Sequence, residues 1–104
     1  MEIQFFDAKL KEFIATLEKT TIAKVVHSIE LLEEFAHHLG MPHSKKIDDK
    51  LFELRTRGRQ EVRILYTFYK GTIFLLHGFV KKTQKIKNKE LAIAKQKLEA
   101  LGKT

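Results

Sequence analysis

Apolar residues recur with helical spacing through the first part of the chain and with strand spacing through its middle. Leu10, Phe13, Ile14 and Leu17 fall at i, i+3, i+4 and i+7 and predict a helix over 8–18, with Asp7 as its N-cap. A short apolar run at 3–6 is a candidate strand before it. Thr20 and Thr21 punctuate the pattern. Ile22, Val25, Val26, Ile29, Leu32, Phe35, Ala36 and Leu39 then form one stripe, which predicts a second helix running to about His38. Gly40 is its expected C′ residue, and Pro42 prevents continuation. After a polar connection at 41–50 the period changes. Runs rich in Val, Ile, Phe, Tyr and Leu at 51–55, 62–69 and 72–80, separated by short polar segments containing Gly, predict an antiparallel β-meander. In the middle run Val62, Ile64, Tyr66 and Phe68 share one face, and Arg63, Leu65, Thr67 and Tyr69 the other. That pattern suits a central strand covered by helices on one side. Lys70-Gly71 fits a two-residue hairpin connection, and Asn88 is the expected N-cap of a last helix carrying Leu91, Ala94, Leu98 and Leu101. The expected fold class is α+β: a helical hairpin packed on a small antiparallel β-meander, with a C-terminal helix.

A chain of 104 residues without repeats or linkers is expected to be one domain, 1–104. It has no cysteine, so disulfides and thiolate zinc sites are excluded. No apolar run approaches the ~20 residues needed to span a bilayer. The start, Met-Glu-Ile-Gln-Phe-Phe-Asp, lacks a signal-peptide layout, and a cytoplasmic location is expected. The formal charge of +7 is unevenly spread. Positions 1–54 hold 7 Lys/Arg against 10 Asp/Glu, and positions 55–104 hold 13 against 3. Such asymmetry is either a solvated basic surface or a face for a polyanion.

The cations have a geometry. Arg55, Arg57, Arg59 and Arg63 straddle one turn, and Lys81, Lys82, Lys85 and Lys87 follow the third run. In an antiparallel meander these two clusters converge at one end of the sheet. A guanidinium fork suits phosphate and lysine supplies a mobile charge, so the cluster can stabilise a phosphorane or simply neutralise a nucleic-acid backbone. His77, beside Gly78, is either a proton carrier near neutral pH or a strand histidine satisfied by backbone or water. Tyr66 falls on an apolar face, where core packing is its default, and Tyr69 on the other face is a possible base platform. His37, His38 and His43 gather near a helix end. Adjacent helical residues diverge by roughly 100°, so no metal is expected there. His27 is expected to be a partly buried structural histidine.

The segments Leu-Phe-Glu-Leu-Arg at 51–55, Val-Arg-Ile-Leu-Tyr at 62–66 and above all Leu-Leu-His-Gly-Phe-Val-Lys-Lys-Thr-Gln-Lys at 75–85 resemble the phage-derived HigB-like branch of the RelE/ParE toxin superfamily. The resemblance covers nearly the whole chain. It implies a RelE-like fold and the toxin of a type II toxin–antitoxin pair, with no cofactor. Such a toxin is a metal-independent mRNA endoribonuclease, commonly ribosome-dependent, that leaves 2′,3′-cyclic phosphate ends. The implied partners are mRNA, the ribosome and a helix-turn-helix antitoxin of the HigA type, in an oligomeric complex that binds operator DNA through the antitoxin. By the same resemblance Arg63 contacts the scissile phosphate, Lys82 with Lys81 assists the phosphorane and leaving group, and Arg55 and Tyr66 contact RNA. Arg57, Thr83, Gln84 and Lys85 complete the expected RNA surface. This chain departs from RelE in carrying Leu51 and Glu53 where RelE has two lysines, and in lacking a late tyrosine near Ile86. Proton transfer then falls to His77, Lys81 or Lys82. The same scaffold also hosts ParE-like inhibitors of DNA gyrase, and a degenerate toxin that only binds its antitoxin is a third reading.

Overall fold

The computed structural model describes residues 1–103. The elements run β1 (Glu2–Phe5), α1 (Ala8–Ala15), α2 (Lys19–Phe35), a 3-10 turn (Ala36–His38), β2 (Ser44–Lys46), β3 (Phe52–Thr56), β4 (Val62–Tyr69), β5 (Thr72–Val80) and α3 (Asn88–Leu101). The fold is α+β, as expected, and the two strands of the central hairpin have the expected bounds. The sheet is larger than a meander. Its order is β1-β5-β4-β3-β2, with β1 parallel to β5 and the other pairs antiparallel. β2 lies in the segment expected to be a polar connection, because Ser44, Lys45 and Lys46 pair with Leu54, Glu53 and Phe52.

Helices cover both faces, not one. Val62, Ile64 and Tyr66 of β4 join Leu10, Val25, Leu32, Leu54, Ile73 and Leu75 in a core under α1 and α2. Leu65 joins Leu51, Leu76, Phe79, Ala94 and Leu101 in a second core under α3. Lys97 of α3 fastens that layer: its Nζ donates to the Leu76 carbonyl at 3.0 Å and pairs with Asp7 Oδ2 at 3.0 Å. Asp7 also caps α1 by accepting from the Lys9 N–H.

A break in register inside β5 assigns the faces. Leu65 pairs with His77 but Tyr66 pairs with Leu75, so Leu76 is an extra residue in the ladder. Strict alternation would put Ile73, Leu75, His77 and Phe79 on one face. The bulge instead leaves Ile73 and Leu75 under the helical hairpin and turns Leu76 and Phe79 toward α3. Gly78 then faces α1 closely: a Cβ built on it would stand 2.5 Å from Leu10 Cδ1 and 3.1 Å from Phe13. Gly78→Ala is therefore expected to lower stability by roughly 1–3 kcal/mol through overpacking. Urea unfolding of the variant measures it, and an unchanged midpoint would show that α1 yields freely.

Helix ends differ from expectation for local reasons. α1 stops at Ala15 because the Thr16 hydroxyl donates to the Phe13 carbonyl and the chain turns to bury Leu17. α2 stops at Ala36, whose φ of 48° breaks the helix before Gly40 is reached. The break lets His37 stack on Phe68, ring centroids 3.7 Å apart. Its neighbour His38 is exposed, and His27, expected to be partly buried, is exposed as well. α3 begins at Asn88, one residue earlier than an Asn88 cap requires, with Lys87 in the cap position. Lys70 and Gly71 both have positive φ, the geometry of a tight hairpin turn.

Candidate functional site

The convergence expected of the two cation clusters is present. Thr56 pairs with Val62, Val62 with Val80, and the Lys81 N–H donates to the Glu61 carbonyl at 2.7 Å. The end of β3, the start of β4 and the end of β5 therefore form one margin of the sheet. Glu61, Arg63, Lys81, Lys82, Thr83 and Gln84 line a single concavity there. Lys81, Lys82 and Thr83 also line a neighbouring cavity of about 380 Å³, which Lys85, Lys87 and Lys89 extend along the loop into α3. The Thr83 hydroxyl donates to the Lys85 carbonyl at 2.6 Å and holds the loop in this path.

Arg63 is in the concavity but is not free. It is only 3% exposed. Its Nη1 donates to its own Val62 carbonyl, its Nη2 donates to Glu61 Oε1 at 3.3 Å, and its Nε lies 3.6 Å from Glu53 Oε2. Arg55 stands directly opposite Arg63 on β3, a like-charge arrangement that is unfavourable alone. Glu53 resolves it, lying 3.4 Å from Arg55 Nε and 3.6 Å from Arg63 Nε. The pairing is electrostatic, not hydrogen-bonded: Glu53 Oε2, Arg55 Nε and Arg63 Nε are buried without a hydrogen-bond partner among the described residues. Two arginines and two carboxylates leave this cluster nearly neutral. The positive field of the margin comes from the lysines of the loop.

Glu61 and Glu53 are the members of this site that the sequence pattern did not bring forward. Glu61 is two residues before Arg63, hence on the same side of an extended chain, and Glu53 is two before Arg55. Period-two spacing next to each arginine was the available signal. Burial alone would raise the Glu61 carboxyl. The hydrogen bond from the Gly58 N–H and the nearby Arg63 and Arg57 outweigh it and hold the group below its ordinary value of 4.5, so it is ionised at neutral pH.

Other expected site residues lie elsewhere. His77 is under α3, with Nε2 3.0 Å from Glu90 Oε1 and its ring stacked on Phe79. Phe79 is the residue opposite Arg63, whereas His77 pairs with Leu65 and lines a separate cavity with Lys9, Phe13 and Lys97. Arg55 and Arg57 line a different cavity, beside α2. Tyr66 is corrected outright: it is 1% exposed, its hydroxyl hydrogen-bonds Ser44, and its ring packs on Phe52 and Phe68. Burial pushes its phenol above 10.0, partly offset by the Ser44 bond. It has no face for RNA because alternation on β4 turns it into the core. Tyr66→Phe is expected to cost about 1–2 kcal/mol, since Ser44 loses its buried partner. RNA binding should be unchanged by filter assay, and a binding defect in the folded variant would reverse this assignment. Tyr69 is half-buried against Phe74, with Lys70 over its ring.

Among the described residues no three His, Cys, Asp or Glu side chains gather where they could hold a metal ion, and no helix is long and apolar enough to cross a membrane. No curated protein matches the chain. The sequence model of the family described as Phage derived protein Gp49-like (DUF891) matches residues 12–99. That span runs from within α1 nearly to the end of α3 and takes in β2 to β5, the arginine cluster and the lysine loop. The chain therefore belongs to the phage-derived Gp49-like family, a family associated with the toxins of toxin–antitoxin systems.

Proposed function

We propose that the chain is the toxin of a type II toxin–antitoxin pair, of the HigB-like RelE/ParE kind, and that it cleaves mRNA on the ribosome without a metal. The observation that carries this reading is the concavity at the sheet margin, where Lys81 and Lys82 sit beside Arg63 and a lysine-rich loop continues away from it. RNA contains its own nucleophile. The 2′-hydroxyl attacks the adjacent phosphorus, the bond to the 5′-oxygen breaks, and a 2′,3′-cyclic phosphate remains. The protein has to hold the phosphate in line and stabilise the added charge of the phosphorane, which convergent cations do. Lys81 and Lys82 are the mobile cations of the concavity: one stabilises the phosphorane, and the other, as an ammonium group, gives a proton to the leaving 5′-oxygen. Arg63 reaches a phosphate through Nη2 when that phosphate replaces Glu61. Displaced Glu61, the one carboxylate lining this concavity among the described residues, accepts the proton of the 2′-hydroxyl. His77, paired with Glu90 and not among the residues lining this concavity, is left out of the proton path. The partner that silences the toxin is a helix-turn-helix antitoxin of the HigA type.

The burial of Arg63 also favours a second reading, in which the arginine is purely structural and the chain inhibits DNA gyrase or only binds its antitoxin. Induced expression with mapping of RNA 5′ ends separates the two. New cuts within translated messages are expected. Growth arrest with intact messages and DNA breaks would replace the nuclease with the gyrase reading, and absence of toxicity would leave only a binding role.

A further inference from the structure

A second cationic cavity lies on the α2 side of the sheet and shares no residue with the lysine-lined groove. It has a volume of about 420 Å³, within the range of roughly 300–1,000 Å³ typical of small-molecule sites. Lys24 and His27 enter it from α2, His43 from the connection before β2, and Arg55 and Arg57 from the end of β3. No carboxylate lines it among the described residues. Arg55 pairs with Glu53 through Nε, and Arg57 acts across the turn on Glu61, but Lys24, His27 and His43 form no ion pair among the described residues. Lys24, His27 and His43 thus share one hollow with two arginines whose charge is already partly offset, an arrangement that an entering anion stabilises. Ala23, Leu31 and Pro42 are its apolar lining residues.

The cavity wall is preorganised. The Thr56 hydroxyl donates to Ser28 Oγ at 2.8 Å, and Ser28 donates to the Lys24 carbonyl at 3.1 Å, which fastens α2 to β3 at this level. The Glu18 N–H donates to Gln60 Oε1 at 3.0 Å and fixes the start of α2 to the arginine turn. Lys24 lies across that turn, for a Cβ on Gly58 would stand 2.9 Å from its Nζ.

We infer that the cavity bounded by Lys24, His27, His43, Arg55 and Arg57 binds one nucleotide, with the phosphate held by these cationic side chains and the base against Ala23, Leu31 and Pro42. An isolated anion would use only the cationic residues and leave the apolar ones idle, and a poly-glutamate peptide lacks a planar group to cover them. A nucleotide uses both, whether free or as one unit of an RNA strand.

The test is an amide chemical-shift titration of the full chain with AMP, adenosine, inorganic phosphate, a single-stranded RNA of roughly ten nucleotides and a poly-glutamate peptide. AMP is expected to move amides at 23–28, 43 and 55–57 more strongly than phosphate, and adenosine to move them least. Lys24→Ala/His27→Ala removes two exposed side chains of α2 and should weaken AMP about tenfold, the worth of one charge-assisted hydrogen bond, with an unchanged melting temperature. Competition between RNA and AMP for these amides assigns the site to a strand, and AMP binding without RNA binding assigns it to a free nucleotide; both uphold it. Absence of shifts, shifts confined to the 81–89 loop, equal binding of the acidic peptide, or undiminished binding in the double variant overturns it. The readout needs no cleavage, so its failure leaves the nuclease proposal standing, and failure of that proposal leaves the site standing.

Discussion

Arg63→Ala is expected to lower the free energy of unfolding by about 3–5 kcal/mol, the usual consequence of removing one partner of a buried ion pair. Deleting the guanidinium leaves the Glu53 carboxylate buried beside β4 with only Arg55 Nε at 3.4 Å, and releases Glu61 to solvent. A domain of this size has about 5–15 kcal/mol in all, so much of the chain would be unfolded at physiological temperature. Loss of growth inhibition in this variant would then report folding and say nothing about chemistry. Urea unfolding separates the two. Replacing the pair together, as Glu53→Leu/Arg63→Met, should recover most of the lost stability, because apolar side chains of similar volume often match or exceed a buried pair. A single variant as stable as the parent would show that the cluster is not structural and would return Arg63 to the role of a freely available phosphate ligand.

The same cluster shows what the sequence could and could not reveal. Residues 62–69 and 72–80 were legible as strands because long runs of β-branched and aromatic residues were bounded by a Lys-Gly turn. The meeting of Arg63 with Lys82 followed from antiparallel topology alone. The state of Arg63 did not follow, since its partners come from a neighbouring strand and from a turn, and only the register Arg55↔Arg63 brings Glu53 between them. The position of His77 was hidden for a related reason. Alternation in a strand is reliable until a bulge, and the extra Leu76 leaves no mark in a uniformly apolar stretch. β2 was invisible because three polar residues, Ser44, Lys45 and Lys46, are held by the edge of β3 and not by their own propensity. His27 and Val26 fell on the exposed side of α2 because the core touches a narrower stripe than the apolar pattern covers.

Lys81→Ala/Lys82→Ala is the variant in which chemistry and folding come apart. Lys81 is only partly buried and Lys82 is exposed, and both line the concavity with Arg63. Neither makes a hydrogen bond or ion pair through its side chain among the described residues. Truncation should leave the melting temperature unchanged. If these lysines stabilise the phosphorane, mRNA cleavage should fall by roughly 10²–10³-fold, the effect of removing one well-placed charge stabiliser, and growth inhibition should disappear with it. Message binding should weaken much less, because Lys85, Lys87 and Lys89 still track the backbone. The salt dependence would still shift, its slope falling by about 0.7 for each phosphate of a single strand that is no longer neutralised. His77→Ala is the contrasting control. His77 does not line the concavity, so its loss should reduce cleavage only as far as breaking its bond with Glu90 loosens α3. A folded His77→Ala protein without activity, beside an active Lys81→Ala/Lys82→Ala protein, would move the chemistry from the sheet margin to the groove under α3. Undiminished activity in both variants would instead remove these lysines from the reaction and reduce the lysine loop to a surface that merely attracts RNA.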